Sequence, residues 1–579
     1  MFSKRDRPFN WKNNWENSPV LAWTLSIGWV ALVCYVAFWW RLGSTGLVDE
    51  TEPLFAEASR QMLVTGDWIT PYFDGATRFD KPPLVYWIMA IAFKVFGVNE
   101  WSVRFPSALA ATGLTGFGFY TLKQFGHLTE ERDARPAWFA AWLGAALMAL
   151  NVQSIAWGRI GVSDLLLSGC IGAALFSFFI GYARSDRSKP YWYLSFYVFV
   201  ALAILTKGPI GLVLPGLTVG GFLLYMGNFR TVLKEMRWWL GGLLILGLTI
   251  PWYALVIRAN GEAYIDSFFG YHNLQRFSRV VNNHGAPWWF FFAVVPLALA
   301  PWSAYLPVAI ARLQFWRVQH WRKSPRSQQL GLFALIWFAV VFGFFTIAAT
   351  KLPSYTIPLL PAAAVLIALF WRDAMFGNRG RDWASHVGSI GLALVLAIAS
   401  FISPRWLKGD KDLPQLQAWV QQLGYPTLAA GIWLGLAIVS LLLLLRRQGR
   451  WIWSAQLIGF LALFLSILLP SFALVDAQRQ RPLRRLARTV LQVRQPGERL
   501  MMAGYSKPSL VFYTQSSFTF ISEHDRVLPT LRKLRRNPKR RSVLLIVRSR
   551  KIRDTKLKPE QYQVLAQSGV FQLIRIPLK

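Results

Sequence analysis

Leu84-Val85-Tyr86-Trp87-Ile88-Met89-Ala90-Ile91-Ala92-Phe93-Lys94-Val95-Phe96-Gly97 is the stretch on which the topology turns. It is apolar, but it follows Pro82-Pro83 and carries Lys94 near its end. It is also shorter than the roughly 20 residues a helix needs to cross a hydrocarbon core. It reads as a juxtamembrane or re-entrant helix. With it set aside, the chain holds about thirteen apolar spans, near 19–41, 103–122, 136–151, 165–183, 191–206, 208–227, 238–257, 288–311, 330–349, 355–371, 386–403, 425–445 and 452–475. Parity then puts the N-terminus inside and the C-terminal segment outside. The inside connections become Lys123–Arg135, Arg184–Lys189, Arg230–Arg237, Arg317–Arg326, Arg372–Arg381 and Arg446–Arg450. All are short and rich in Lys and Arg, as the positive-inside bias requires. A fourteenth span at Leu84–Gly97 would move the later basic loops outside.

Composition agrees with a polytopic membrane protein. Over 579 residues, 54% are hydrophobic and the mean hydropathy is +0.34, more apolar surface than a soluble chain could hide. The 29 Trp and 42 Phe suit rings at two headgroup levels. Cys34 and Cys170 lie in apolar runs and read as small hydrophobes, so neither a disulfide framework nor a thiolate metal site is expected. Lys4, Arg5, Arg7 and Lys12 precede a first run, Pro19 to Trp40, that has no small-residue cleavage site and reads as a retained span. No internal repeat is visible, which weakens a reading as an inverted-repeat transporter.

From about Asp476 the pattern changes, dividing the chain into a membrane domain, 1–475, and an outer α/β domain, 476–579. Met501–Gly504, Leu510–Tyr513, Phe518–Ile521 and Ser542–Val547 read as short strands, and Arg484–Val493 and Val527–Arg535 have helical spacing. This domain carries 24 Lys and Arg against 6 Asp and Glu. Anionic headgroups attract such a face by about 1 kcal/mol per charge. Recognition of an anionic glycolipid or polymer is the functional counterpart, and a nucleic-acid partner does not fit a domain outside the membrane.

The chemistry-bearing residues gather in the outer segments 42–102, 152–164, 258–287 and 404–424 and in two tight turns, Thr206–Pro209 and Thr350–Tyr355. Asp49 and Glu50 precede a helix in which Leu54, Ala58, Gln61 and Met62 share a face, with Glu57 and Arg60 opposite, as an interfacial helix would have. They either cap that helix or do chemistry beside it. Pro71, Gly75 and Asp80-Lys81-Pro82-Pro83 make a stiff loop that fixes Lys81 at the membrane surface, unless the lysine merely snorkels toward headgroups. Asp164 starts a span as a cap would. Lys207 stands at a span end, and Arg276 has Asp266 and Glu262 in its own loop as alternative partners.

These residues occur in a recognisable order: Asp49-Glu50, Ala56-Glu57 with Arg60 and Met62, Gly66-Asp67-Trp68, Asp80-Lys81-Pro82-Pro83 before Tyr86-Trp87, and Gly97 to Pro106. Weaker matches follow at Arg159–Asp164, Lys207-Gly208-Pro209, His272–Phe277 and Lys351–Tyr355. The chain resembles the C-type (GT-C) glycosyltransferases, close to the bacterial 4-amino-4-deoxy-L-arabinose lipid A transferases and the protein O-mannosyltransferases. The resemblance implies an all-α polytopic domain of about thirteen helices, with outer juxtamembrane helices and a small extracytoplasmic α/β domain. It implies a polyprenyl-phosphate-linked sugar as donor, a glycolipid, glycan or protein acceptor, and an inverting transfer at the outer face of a bacterial inner membrane.

Such a reaction needs a base for the acceptor proton and cations for the departing phosphate. By resemblance Asp49 is the base with Glu50 beside it, and Asp164 lies near the sugar. Lys81, Lys207 and Arg276 take the phosphate, with Tyr355 as a hydrogen-bond donor. The resemblance also implies a possible Zn²⁺ on Asp80 and His272, with His284 in the same loop. Asp80 stands where the lipid A transferases have Glu, and Arg78 where they have Tyr. The alternatives are a lipid-linked-sugar transporter or flippase and a non-catalytic envelope-binding scaffold. A translocation path would put ionisable residues near the midplane, whereas here they collect at the outer span ends.

Overall fold

The computed structural model describes residues 19–127, 134–281, 284–377, 383–407, 413, 415–535 and 542–578. The basic N-terminal residues Lys4, Arg5, Arg7 and Lys12 and parts of the 123–135 and 372–381 loops lie outside these. Among the described residues, nine helices are long and apolar enough to cross a membrane, and two bent pairs raise this to eleven. Glu100–Phe125 and Ile210–Met226 are helical at the two remaining expected spans. Helices satisfy their own backbone groups, as the bilayer core demands.

Two spans form the axis of the bundle. Ser163–Ala183 is wholly buried, and the helical stretch Pro353–Phe376 nearly so, whereas Trp238–Asn260, Trp383–Trp406 and Tyr425–Leu445 present most of their surface outward. Small residues permit the close packing expected where lipid offers no hydrophobic drive. A Cβ on Gly118 would meet the Met148 sulfur at 2.2 Å, and one on Gly172 would meet Leu114 Cδ1 at 2.3 Å.

The span expected at 288–311 is not a continuous helix. Phe290–Ala298 and Trp302–Arg312 meet at 112° around Pro301, which cannot donate a helical hydrogen bond. The broken segment still crosses. On one face Ala349 N–H donates to Phe277 C=O, and Lys351 N–H to His284 C=O. On the other, Glu235 accepts from both Lys189 and Arg326, and Arg322 donates to Tyr225 C=O. The single span Leu330–Ile347 runs between those faces, so the chain from 287 to 312 must change sides as well. The expected span at 136–151 likewise continues as a bent pair, Arg135–Ala149 and Val152–Gly158, at 59°.

Leu84–Phe96 is a 13-residue helix. Val85, Tyr86, Met89 and Phe93 are buried, while Ile91, Val95 and Phe96 are exposed. Before it, strands β1 (Tyr72–Phe73) and β2 (Ala76–Thr77) form a small hairpin turned by Gly75 at φ 80°.

Thr51–Thr65 is helical as expected, but it does not float at the surface with Glu57 and Arg60 turned to water. Glu57 is 1% and Arg60 8% exposed. They neutralise each other through bonds of 2.7 and 2.8 Å, because the C-terminal domain packs over this helix.

That domain is a five-stranded sheet in the order β4-β3-β5-β7-β6, built from β3 (Arg499–Ala503), β4 (Phe518–Ile521), β5 (Ser542–Arg548), β6 (Gln563–Ser568) and β7 (Phe571–Pro577). β3 runs parallel to β4 and β5, and β7 antiparallel to β5 and β6. Alternation along β3 sends Leu500 and Met502 toward the helix Arg481–Val493, and Met501 and Ala503 toward Val527–Arg535. Leu510–Tyr513, read as a strand, is helical within Pro508–Thr514. A four-residue apolar run has no decisive period, and Pro508 in the first turn suits a helix start. The helix of the last span runs on without interruption from 449 to 493 and so passes through the 475/476 boundary.

Candidate active site

At one end of the spans lies a cavity of about 610 Å³. Its walls are apolar, with Leu167, Ile210, Val213, Phe344 and Phe345 coming from three different spans. Its polar lining is Asp80, Lys81, Lys207, His272, Asn273, Arg276 and Tyr355. Residues up to 275 apart in sequence thus meet at one surface, three cations against one carboxylate.

Each is held by its own element. The 66–83 loop is stiffened by Asp67, which accepts from the Ile69 and Thr70 N–H groups, and by Trp87 Nε1, which donates to Trp68 C=O. It delivers Lys81, whose Nζ lies 2.6 Å from Asp80 Oδ1. Arg78 takes Asp80 Oδ2 at 2.8 Å. Burial alone would raise the Asp80 carboxyl, but Lys81, Arg78 and His272 outweigh it and hold the group far below its ordinary range. Burial, aided by Lys207 and Arg276, brings the Lys81 ammonium down to about 8. Lys207, closing the helix Lys189–Lys207, is 2.9 Å from Asp164 and stands over the Tyr355 ring at 5.7 Å. Asp164 therefore lies behind Lys207 and does not line the cavity. Arg276 makes no ion pair with Asp266, Glu262 or any other described residue, and its buried Nε has no hydrogen-bond partner.

His272 Nδ1 is 3.0 Å from Asp80 Oδ1 and has no hydrogen bond of its own. Burial and the surrounding cations push its imidazole down to about 4, so it is neutral. A neutral imidazole, which keeps one unprotonated nitrogen, next to a carboxylate is the ligand chemistry Zn²⁺ takes. The pair supplies two ligands, and among the described residues no cluster of three His, Cys, Asp or Glu is present. His284 is exposed and outside the cavity.

Asp49 and Glu50 are not in this cavity. Neither side chain caps the helix Thr51–Thr65. Glu50 is exposed, whereas Asp49 is 7% exposed and faces the C-terminal domain. There Ser509 N–H donates to Oδ1 at 3.0 Å and Ser509 Oγ to Oδ2 at 2.6 Å. Burial pushes the Asp49 carboxyl up to about 6, with the Ser509 bonds and Lys507 pulling the other way. Behind it, Glu52 and Arg104 form a fully buried pair that sequence reasoning left without a role. Arg104 Nε and Nη2 donate to Glu52 Oε1 and Oε2 at 2.9 and 3.2 Å, and the guanidinium also donates to Leu42, Thr45 and Gly46, while Glu52 accepts from Val48 and Gly161 N–H groups. The outer end of the first span is thereby fixed. A carboxylate and an arginine 52 positions apart carry no local signal of their pairing.

A model of the dolichyl-phosphate-mannose-protein mannosyltransferase family matches residues 80–254, and one of the C-terminal domain of cyanobacterial RgtA-type glycosyltransferases matches 493–579. The undecaprenyl phosphate-alpha-4-amino-4-deoxy-L-arabinose arabinosyl transferase of Serratia proteamaculans is 29% identical over 440 residues, covering 73% of this chain and 72% of its own. That of Shewanella sediminis is 32% identical, covering 62% and 61%. The fold is that of ArnT from Cupriavidus metallidurans crystallised with undecaprenyl phosphate, at a TM-score of 0.75, 21% identity and coverage of 95% and 97%. Bundle, C-terminal domain and cavity thus occur together with matches at both ends of the chain: it is a multi-pass membrane protein with the fold of ArnT, similar to the GT-C glycosyltransferases, among them the bacterial aminoarabinose transferases and the protein O-mannosyltransferases.

Proposed function

We propose that the enzyme transfers a sugar, 4-amino-4-deoxy-L-arabinose or a close analogue, from undecaprenyl phosphate to a lipid A-like glycolipid at the outer face of the bacterial inner membrane. The observation that carries this reading is the convergence of Lys81, Lys207, Arg276 and Tyr355 on an apolar cavity at the membrane surface. Such a cavity suits a ligand with an anionic head and an isoprenoid tail. Fixed cations in a poorly hydrated site stabilise a phosphate far better than water-exposed ones do. The relatives' names supply the donor, and the 29–32% identity supports carrying it over.

In the reaction an acceptor oxygen attacks the sugar C1 as the C1–O bond to the phosphate breaks, inverting C1. The bonding pair leaves with the undecaprenyl phosphate, whose new charge falls to Lys81, Lys207 and Arg276. Asp49 takes the acceptor proton, whether from a hydroxyl or from a phosphate monoester whose second pKa is also about 6. Asp164 keeps Lys207 charged and aimed, and Glu50 shares the Asp49 surface. Asp80 and His272 would hold a Zn²⁺, which would add positive charge beside the phosphate. Metal analysis of the purified protein checks this: wild type carries zinc, and Asp80→Ala and His272→Ala each lose it.

The transfer itself is tested with purified protein, lipid A and undecaprenyl phosphate-aminoarabinose, reading the product by mass spectrometry. One aminoarabinose added to lipid A, and none with Asp49→Asn, is expected. No product with wild type, but transfer to a peptide hydroxyl, would replace the glycolipid acceptor with a protein.

A further inference from the structure

A second cavity, about 780 Å³, lies between the outer end of the first span, the segment Ala156–Ile160 and the last span around residues 465–480. It shares no lining residue with the cavity of Lys81 and Lys207. One wall is hydrocarbon, including Leu465, Leu469 and Phe472, and Leu423 and Phe472 at the rim are 51% and 40% exposed. The other wall carries Arg41, Arg159 and Arg479.

Among the described residues these arginines have no anionic partner. Arg159 donates only to the carbonyls of Ala37 and Trp40, and both Arg41 and Arg104 repel its guanidinium. Arg479 has a buried Nε without a hydrogen-bond partner. None of the three makes an ion pair among the described residues. The one lining carboxylate, Asp476, already accepts from Gly46 N–H and Arg484 and has Arg481 at 3.7 Å. The remaining lining arginine, Arg104, is matched by Glu52. Uncompensated like charges beside an apolar wall are complementary to an amphiphile with an anionic head, and guanidinium forks suit phosphate oxygens.

The location links this cavity to the chemistry. Val48 lines it, and Asp49 is the next residue. The helix Thr51–Thr65 joins the two cavities: Glu52 in its first turn pairs with Arg104 of this one, and Phe55 lies under the Arg78 guanidinium, which pairs with Asp80 of the other. We propose that this second cavity seats the acceptor, a lipid with phosphate on its head, with the phosphate held by Arg41, Arg159 and Arg479 and the acyl chains along the last span. The assignment rests on the glycolipid-acceptor reading above.

Binding tests it independently of turnover. Full-length protein in phosphatidylcholine nanodiscs is titrated with bisphosphorylated lipid A, dephosphorylated lipid A and inorganic phosphate. The Arg41→Gln/Arg479→Gln double variant removes charge, and Ala473→Trp fills the cavity at an exposed lining position without touching charge. Losing one charged hydrogen bond costs about tenfold in affinity, so each variant is expected to weaken bisphosphorylated lipid A at least tenfold. Undecaprenyl phosphate binding should stay unchanged, which also reports folding. Wild-type affinity for lipid A in both variants overturns the site, as does equal wild-type affinity for the dephosphorylated lipid or for inorganic phosphate alone. If lipid A binds in the expected manner but receives no sugar, the transfer reading falls and the site stands. If transfer proceeds and both variants leave the lipid A KM unchanged, the site falls alone.

Discussion

At the scale of single residues, two titrating groups frame the proposed reaction. As the proposed base, Asp49 must be ionised to take a proton, and burial places its carboxyl at about 6, so turnover is expected to rise with pH through that value. The Ser509 hydroxyl bonds the ionised form and therefore lowers this pKa. Ser509→Ala keeps the backbone N–H bond and loses the hydroxyl, and one hydrogen bond to a charged group corresponds to roughly one pH unit. The acid limb of the pH–kcat profile is expected to move up by about that much, whereas an unmoved limb assigns the proton to another group. Asp49→Asn should lower kcat by about 10²–10⁴, the usual worth of a positioned base. At the other end, Lys81 is charged only below about 8. Undecaprenyl phosphate affinity is thus expected to weaken as pH rises through 8, and Lys81→Met to give weak binding with no such pH dependence, both measurable by titration in nanodiscs.

Among the elements, the loop that carries Asp49 owes its position to the Glu52–Arg104 pair. With both groups fully buried, removing one leaves the other uncompensated at a cost of about 3–5 kcal/mol. Arg104→Met is expected to lower the midpoint of thermal unfolding sharply, and Glu52→Gln/Arg104→Met to recover much of the loss, as a thermal-shift measurement would read. An equally unstable double variant would mean that the Arg104 bonds to Leu42, Thr45 and Gly46 matter more than the charge. The spans around this hub were legible because hydropathy and loop charge are local and additive, and reading Leu84–Gly97 as too short set the whole register. Lys81, Lys207, Arg276 and Tyr355 were legible only through their order and common side. The break at Pro301 had a local signal in its proline, but a proline inside an apolar run also fits an unbroken kinked span. The burial of Glu57 and Arg60 had no local signal, because packing between domains imposes it, whereas the helix at Leu510–Tyr513 had only the proline before it set against an apolar run without a decisive period. The Asp49–Ser509 contact spans 460 positions and belongs to the same class.

For the whole molecule, the C-terminal domain packs directly against the proposed base rather than hanging as an appendage. Ser509, Phe518 and Tyr513 tie it to the membrane domain around Asp49: Ser509 on the carboxylate, Phe518 N–H on Asp74, and Tyr513, whose hydroxyl accepts from Leu47 N–H and donates to Glu100. Phe512 packs on Phe93 of the short helix Leu84–Phe96, joining the domain to the element that follows Lys81. Loosening this joint should disturb the proposed base without disturbing the proposed phosphate site, because none of the described residues of the C-terminal domain lines the cavity of Lys81, Lys207 and Arg276. Tyr513→Phe removes both hydroxyl bonds and leaves the ring in place. It is expected to lower kcat about tenfold or more, the equivalent of one to two lost hydrogen bonds, with undecaprenyl phosphate affinity unchanged and faster amide exchange over residues 42–50. Equal losses in kcat and donor affinity would instead mean that the two cavities are coupled through the helix Thr51–Thr65, and that the outer domain positions the donor as well as the base.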